Sequence, residues 1–102
     1  MSADKKVIVT CWEEMVPYLT TSDPIQFFIS SSTLSVLGAG IVKAYQDQLA
    51  FYPHTSLTVE CATPGQGLRC LYQGVKRILY ATAHQPETSL CSIATKLNAR
   101  IN

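Results

Sequence analysis

Gly38-Ala39-Gly40 separates two strongly patterned segments and fixes how the chain passes from one to the other. Before it lies Ile25-Gln26-Phe27-Phe28-Ile29, aromatic and branched, followed by the polar run Ser30-Ser31-Ser32-Thr33. That pattern predicts a buried strand leading into a polar loop. After it, Ile41, Val42, Tyr45, Leu49 and Tyr52 recur at steps of three or four, the spacing of an amphipathic helix. In a strand, glycine turn and helix taken in that order, the backbone N–H groups at the helix start can hold an anion such as phosphate. Glycine lets the backbone approach a ligand that a Cβ would keep away. A plain packing turn is the other reading of the same motif.

The 102 residues suffice for one small domain with a single core, so residues 1–102 are read as one unit. With 47% hydrophobic and 15% charged residues, the composition is that of a folded chain. The net charge of +1 decides nothing about nucleic acid, because the basic residues are spread along the chain without an aromatic-interleaved block. No apolar stretch approaches the roughly 20 residues that span a bilayer, and Met1 to Lys6 does not read as a signal peptide. Cys11, Cys61, Cys70 and Cys91 each fall inside a predicted element and form no CxxC or Cys/His cluster. They are read as reduced core residues of an intracellular, cytoplasmic protein without metal or cofactor.

Along the chain, Val7–Cys11 predicts a first strand, Trp12–Leu19 a turn or broken helical turn, and about Ile25–Ser30 a second strand. The helix beginning at Gly38 or Gly40 runs to about Phe51, before Pro53. Leu57–Cys61 alternates like a half-exposed strand, and Thr63–Gly67 reads as a tight glycine turn. Leu68–Tyr72 and Val75–Thr82, joined by Gln73-Gly74, carry a hairpin signal. From Pro86, Leu90, Ile93, Ala94, Leu97 and Ile101 mark a final amphipathic helix. The expected class is α/β: one small domain with a mixed central sheet of about five strands and two main helices.

The order of these motifs resembles the macro domain family, in particular its compact branch that removes ADP-ribose from acidic side chains. The resemblance rests on Val7–Cys11, Ile25–Ser30, the stretch Gly38-Ala39-Gly40-Ile41-Val42-Lys43-Ala44-Tyr45, the Gly67–Thr82 segment with its Gly74 turn, and Pro86–Leu90. It covers about residues 5–100. It implies that Gly38, Ala39, Gly40 and Ile41, with the hydroxyls of Ser31 and Ser32, surround a diphosphate. It also implies that Glu13 stands where the family has an Asp contacting the adenine amine. Several departures accompany it. Trp12-Glu13 replaces the family's Gly-Asp, and the family's catalytic Lys falls at Ala83 or His84. The family's second glycine-rich loop, with its catalytic Asp, would follow Asn102. The resemblance is therefore to a truncated or degenerate member.

The first expectation is binding of ADP-ribose or a related nucleotide with little or no hydrolysis, and with no residue assigned a catalytic role. Were the chain an enzyme, it would be an ADP-ribosyl hydrolase drawing on Ser31, Ser32, Glu13 or His84. The alternative is an interaction module that keeps the scaffold and contacts protein or RNA without nucleotide, as do non-binding macro-like modules of viral polyproteins and phages. Cys61 and Cys70 read as core residues rather than as nucleophiles paired with His54 or His84. Trp12 reads as a core plug or as a wall for base stacking. Finally, the stripe of Leu90, Ile93, Leu97 and Ile101 predicts a homodimer, and no contact with a membrane is expected.

Overall fold

The strand-forming residues build a single sheet whose order follows the chain. The computed structural model describes residues 5–80 and 99–101. Strands β1 (Lys5–Ile8), β2 (Ile25–Ile29), β3 (Thr55–Cys61), β4 (Arg77–Tyr80) and β5 (Arg100–Ile101) lie side by side in the order β1-β2-β3-β4-β5. Every pairing between them is parallel. Val7, Phe27 and Leu57 share one register row, and Ile29, Val59 and Ile78 another.

Parallel neighbours need long crossovers, and these are almost always right-handed. When each crossover steps one strand further in the same direction, the connecting helices fall on one face of the sheet. The core agrees: Ile25, Phe27, Ile29, Leu57, Val59, Cys61 and Ile78 from alternate strand positions form one cluster with side chains from every described helix. Phe27, Ile29, Val59, Cys61 and Ile78 are completely buried there. The intervening positions face the other way and are more polar. There Gln26 Nε2 donates to Thr58 Oγ1 at 3.0 Å, and the Lys6 ammonium lies 4.2 Å from the centroid of the Phe28 ring.

The helices begin and end where side chains can satisfy the backbone. A 3-10 turn, Trp12–Glu14, and a short helix α1, Val16–Leu19, lie between β1 and β2. Helix α2 (Ser31–Leu37) starts at Ser30, whose Oγ accepts from the Thr33 N–H at 3.3 Å. Gly38 ends α2 and starts α3 (Ala39–Leu49) with φ 85° and ψ 154°, a conformation essentially confined to glycine. Helix α4 (Pro64–Gln73) has Thr63 as N-cap, its Oγ1 accepting from Gln66 N–H at 3.2 Å, and Pro64 in the first turn. It closes on left-handed Gly74, with Gly74 N–H bonded to Leu71 O at 3.0 Å and Val75 N–H to Cys70 O at 2.9 Å, the Schellman arrangement.

Several sequence expectations are corrected by this architecture. The sheet is parallel throughout the described residues, not mixed. The predicted hairpin is absent: Leu68–Tyr72 belongs to α4, and Gly74 caps that helix rather than turning a hairpin. Thr63–Gly67 is not a free turn but the N-cap and first turn of α4. The Ser30–Gly40 segment is not a loop either, because its hydroxyl-rich start caps α2. Ser31 and Ser32 accordingly lie in the first turn of a helix. The first strand is Lys5–Ile8, ending before Val9–Cys11. Ile101 lies in β5, not in a helix. The proposed dimer stripe Leu90–Leu97, the helix start at Pro86 and His84 lie outside the described residues.

Candidate functional site

In parallel α/β sheets, ligands sit beyond the carboxyl ends of the strands, usually in the crevice where strand order reverses. Among the described strands the order β1-β2-β3-β4-β5 has no reversal. The candidate site is therefore sought in the described segments that leave the strand ends and in the helices above them.

Three such segments carry side-chain hydrogen bonds at that end, and the second and third are joined by them. After β1, the Glu14 carboxylate accepts from Thr10 N–H at 2.7 Å and from the Thr10 hydroxyl. The Thr10 hydroxyl, and next its backbone N–H, hold the Glu14 carboxyl below its ordinary value of 4.5. Cys11 Sγ lies 3.8 Å from the same carboxylate. After β2, Ser30 Oγ contacts Ser32 Oγ and Thr33 Oγ1, both at 3.1 Å. At the end of β3, Glu60 Oε1 accepts from Ser31 N–H at 3.2 Å.

Gln66, at the start of α4, ties the second and third segments together. Its Oε1 accepts from Ala62 N–H at 2.8 Å, while Nε2 donates to Ser31 O at 3.3 Å and to Ser35 Oγ at 3.0 Å. The amide thereby holds α2 against α4. Beside it lies a cavity of about 240 Å³ lined by Leu34, Ser35, Gly38, Ala39, Gln66, Arg69 and Cys70. This is where α3 begins. Gly38 offers no side-chain cap, so α3 begins without one beside a wall that includes Arg69.

A second cavity, of about 300 Å³, is lined by Thr10, Ser32, Thr33, Val36 and Leu37. It sits between the β1 exit and α2. Its polar side chains are those of Thr10, Ser32 and Thr33, all hydroxyls.

The expected site residues are thus divided. Gly38 and Ala39 line the first cavity, and Ser31 reaches it only through Gln66. Gly40 and Ile41 are in the first turn of α3, exposed beside it. Ser32 belongs to the second cavity. Glu13 lines neither, being exposed in the 3-10 turn. Trp12 packs against the core, its ring centroid 5.9 Å from that of Tyr45 in α3, as the plug reading required.

Leu34, Ser35, Cys70, Gln66 and Arg69 line the first cavity without having been expected there, and the last two bring its amide and its basic side chain. Thr63 followed three residues later by Gln66 matches the capping-box spacing that starts a helix, and that signal would have placed both on α4.

Cys61 and Cys70 are completely buried, with their sulfurs 3.9 Å apart. The hydrogen bond that Cys61 makes to Cys70, together with burial, pushes the Cys61 thiol upward. Neither thiol is bonded to His54, whose Nε2 lies 3.1 Å from Tyr18 O. Among the described residues, no group of three His, Cys, Asp or Glu side chains is arranged to hold a metal. Nor is any described helix long and apolar enough to cross a membrane. Comparison with protein-family models, with curated proteins and with solved structures found no match to this chain.

Proposed function

We propose that this chain binds a phosphate-bearing ligand, ADP-ribose or a related nucleotide, at the cavity where α3 begins, with little or no hydrolysis. One observation carries the reading. The N-terminus of α3, left without a side-chain cap, opens into a cavity whose wall also contains Arg69 and Gln66. Unpaired N–H groups at a helix start favour an anion, and a guanidinium can hold phosphate through two parallel hydrogen bonds. The volume of about 240 Å³ is below the ~300–1,000 Å³ of pockets that enclose drug-sized ligands. It therefore seats a diphosphate, with the remaining nucleoside or ribose extending along the surface.

Acid–base chemistry has less support than binding. A general base must lie within hydrogen-bond reach of the reacting group. The cavity wall offers Arg69 and Cys70 but neither carboxylate nor imidazole among the described residues. Naming ADP-ribose rests on the macro-domain likeness of Gly38–Tyr45 alone, because the hairpin that formed the other half of that likeness is replaced by α4.

Calorimetric titration with ADP-ribose tests the reading, using the parent protein beside Gly40→Glu and Arg69→Gln. No heavy atom lies within 4 Å of a Cβ built at Gly40, so a glutamate fits there, favours the helix start and opposes an anion. Binding by the parent and weaker binding by both variants are expected. Absence of heat with the parent, or equal binding by all three, sinks the reading.

A second reading, the interaction module for protein or RNA, is favoured by the surface beside the cavity. Val36 is 85% exposed and Ile41 is 47% exposed, and they flank Gly38 from α2 and α3. Pull-down with and without excess ADP-ribose separates the two readings. Partners retained equally in both conditions favour the module.

A further inference from the structure

We propose that Cys61 and Cys70 form a thiol-modification site that a peroxide converts to a disulfide, joining the end of β3 to the middle of α4. The inference stands apart from the ligand reading, and its test uses no nucleotide.

Geometry carries it. Cys61 is the last residue of β3, and Cys70 is on α4, one turn beyond Gln66. Their sulfurs are 3.9 Å apart, so closing to a disulfide length of about 2.05 Å needs a small approach rather than a rearrangement of strand and helix. The two sulfurs are inequivalent. Cys70 forms part of the wall of the 240 Å³ cavity, whereas Cys61 does not. Cys61 donates its S–H to the Cys70 sulfur, which favours negative charge on Cys70 and leaves the proton on Cys61. Both thiols are 0% exposed, so a small oxidant entering by the cavity reaches Cys70 more readily than a bulky reagent.

The chemistry balances in two steps. The Cys70 thiolate attacks one peroxide oxygen. The O–O bond breaks, and the other oxygen leaves as hydroxide, which takes a proton to become water. Cys70 is then a sulfenic acid. Cys61, as its thiolate, attacks that sulfur and expels hydroxide, which picks up the proton Cys61 released and leaves as a second water. Overall, two thiols are oxidised by two electrons and one peroxide is reduced to two waters. The product ties Gln66 and Arg69, on the turns preceding and adjoining Cys70, to the end of β3.

The sequence makes the test unambiguous. Cleavage after Lys and Arg puts Cys11 in peptide 7–43, Cys61 in 44–69, Cys70 in 70–76 and Cys91 in 78–96, so each of the four cysteines falls in a different peptide. The reduced, folded protein is treated with hydrogen peroxide, alkylated under denaturing conditions, digested without reductant and analysed by mass spectrometry. The expected product is peptide 44–69 linked to 70–76, lighter than their sum by two hydrogens, with both thiols lost from the alkylated pool. The same treatment in urea should lose this preference. Alkylatable Cys61 and Cys70 after complete oxidation of Cys11, or a bridge to Cys11 or Cys91 instead, overturns the proposal. In Cys61→Ser, shown folded by circular dichroism, treatment with hydrogen peroxide followed by dimedone under denaturing conditions should label peptide 70–76. A folded variant without that adduct overturns the assignment of Cys70 as the sulfur attacked first.

Discussion

Gln46 Nε2 donates to the carbonyl of Gly74 at 2.9 Å, and Gln46 Oε1 accepts from Lys76 N–H at 2.8 Å. One amide on α3 thus satisfies two backbone groups of the turn that carries α4 into β4. Each such bond contributes about 0.5–1.5 kcal/mol net. Gln46→Ala should therefore lower the unfolding free energy by roughly 1–3 kcal/mol, read from the urea midpoint at unchanged slope. Gln46→Glu keeps the acceptor for Lys76 but turns a carboxylate oxygen toward the Gly74 carbonyl, so at neutral pH it should cost at least as much as Gln46→Ala. A Gln46→Ala midpoint equal to that of the parent would show that the clamp contributes nothing.

The glycines of the Gly38-Ala39-Gly40 stretch are expected to behave oppositely. Gly38 has φ 85° and ψ 154°, and Gly40 lies in the first turn of α3 with no atom within 4 Å of a built Cβ. Gly38→Ala forces a side chain into a conformation that costs of order 1–3 kcal/mol. Gly40→Ala should be neutral or stabilising by up to about 1 kcal/mol, because alanine loses less freedom on entering a helix. Chemical denaturation of the two variants checks the contrast. Equal effects would mean that Gly38 does not hold the α2–α3 junction in this conformation.

Glu14 provides a test by pH. Its carboxyl is lowered from 4.5 chiefly by the Thr10 hydroxyl and then by the Thr10 N–H. The folded protein therefore binds this proton more weakly than the unfolded chain does. Its contribution to stability is present above the ordinary value and is lost as the pH falls through the lowered one. Because the residue is fully exposed, the informative measurement is the titration itself. Thr10→Val should move the Glu14 carboxyl resonance upward toward its ordinary titration range, while Cys11→Ala should move it less. An unchanged midpoint in Thr10→Val would remove Thr10 as the cause.

These relationships also explain which parts of the fold were legible in the sequence. The Ile25–Ile29 strand and the helix after Gly38 were evident, because local pattern and tertiary burial agree there; Leu57–Cys61 was evident as a strand, but the half-exposed face its alternation predicted is covered, with Thr58 only 5% exposed. Val42 and Leu49, two of the residues that set the α3 period, are buried in the core. Helix α4 was misread because Leu68, Leu71 and Tyr72 are also good strand residues, and Gln73-Gly74 is a good hairpin turn. The deciding features were the Thr63-Pro64 start and the burial of Gly67, Cys70 and Leu71 at helical steps of three and four. Helix α2 was hidden by its serines, which serve as caps as readily as they form loops. For the site, Gly38 and Ala39 were visible as a glycine motif. Gln66 and Arg69 were not, because only their position on α4 brings them to the start of α3.

Gln66 and Arg69 allow binding to be separated from stability at one cavity. Gln66 makes three hydrogen bonds, to Ala62, Ser31 and Ser35, and holds α2 against α4. Gln66→Met keeps much of the volume and loses all three, which at about 0.5–1.5 kcal/mol each, less where water can replace them, comes to roughly 1–3 kcal/mol. Ser35→Ala removes only one of them and should cost a fraction of that. Arg69 is exposed on the same helix, so Arg69→Gln should leave the unfolding midpoint within about 0.5 kcal/mol of the parent. If a phosphate-bearing ligand occupies the cavity, that variant loses a charge-assisted hydrogen bond, and its affinity should fall roughly tenfold for each 1.4 kcal/mol lost. Its binding should also depend less on salt than the parent's, because one fewer charge faces the anion. Urea midpoints and ADP-ribose titrations at low and moderate ionic strength, run on the same three variants, decide the matter. An Arg69→Gln protein that binds like the parent at both ionic strengths would take Arg69 out of the site.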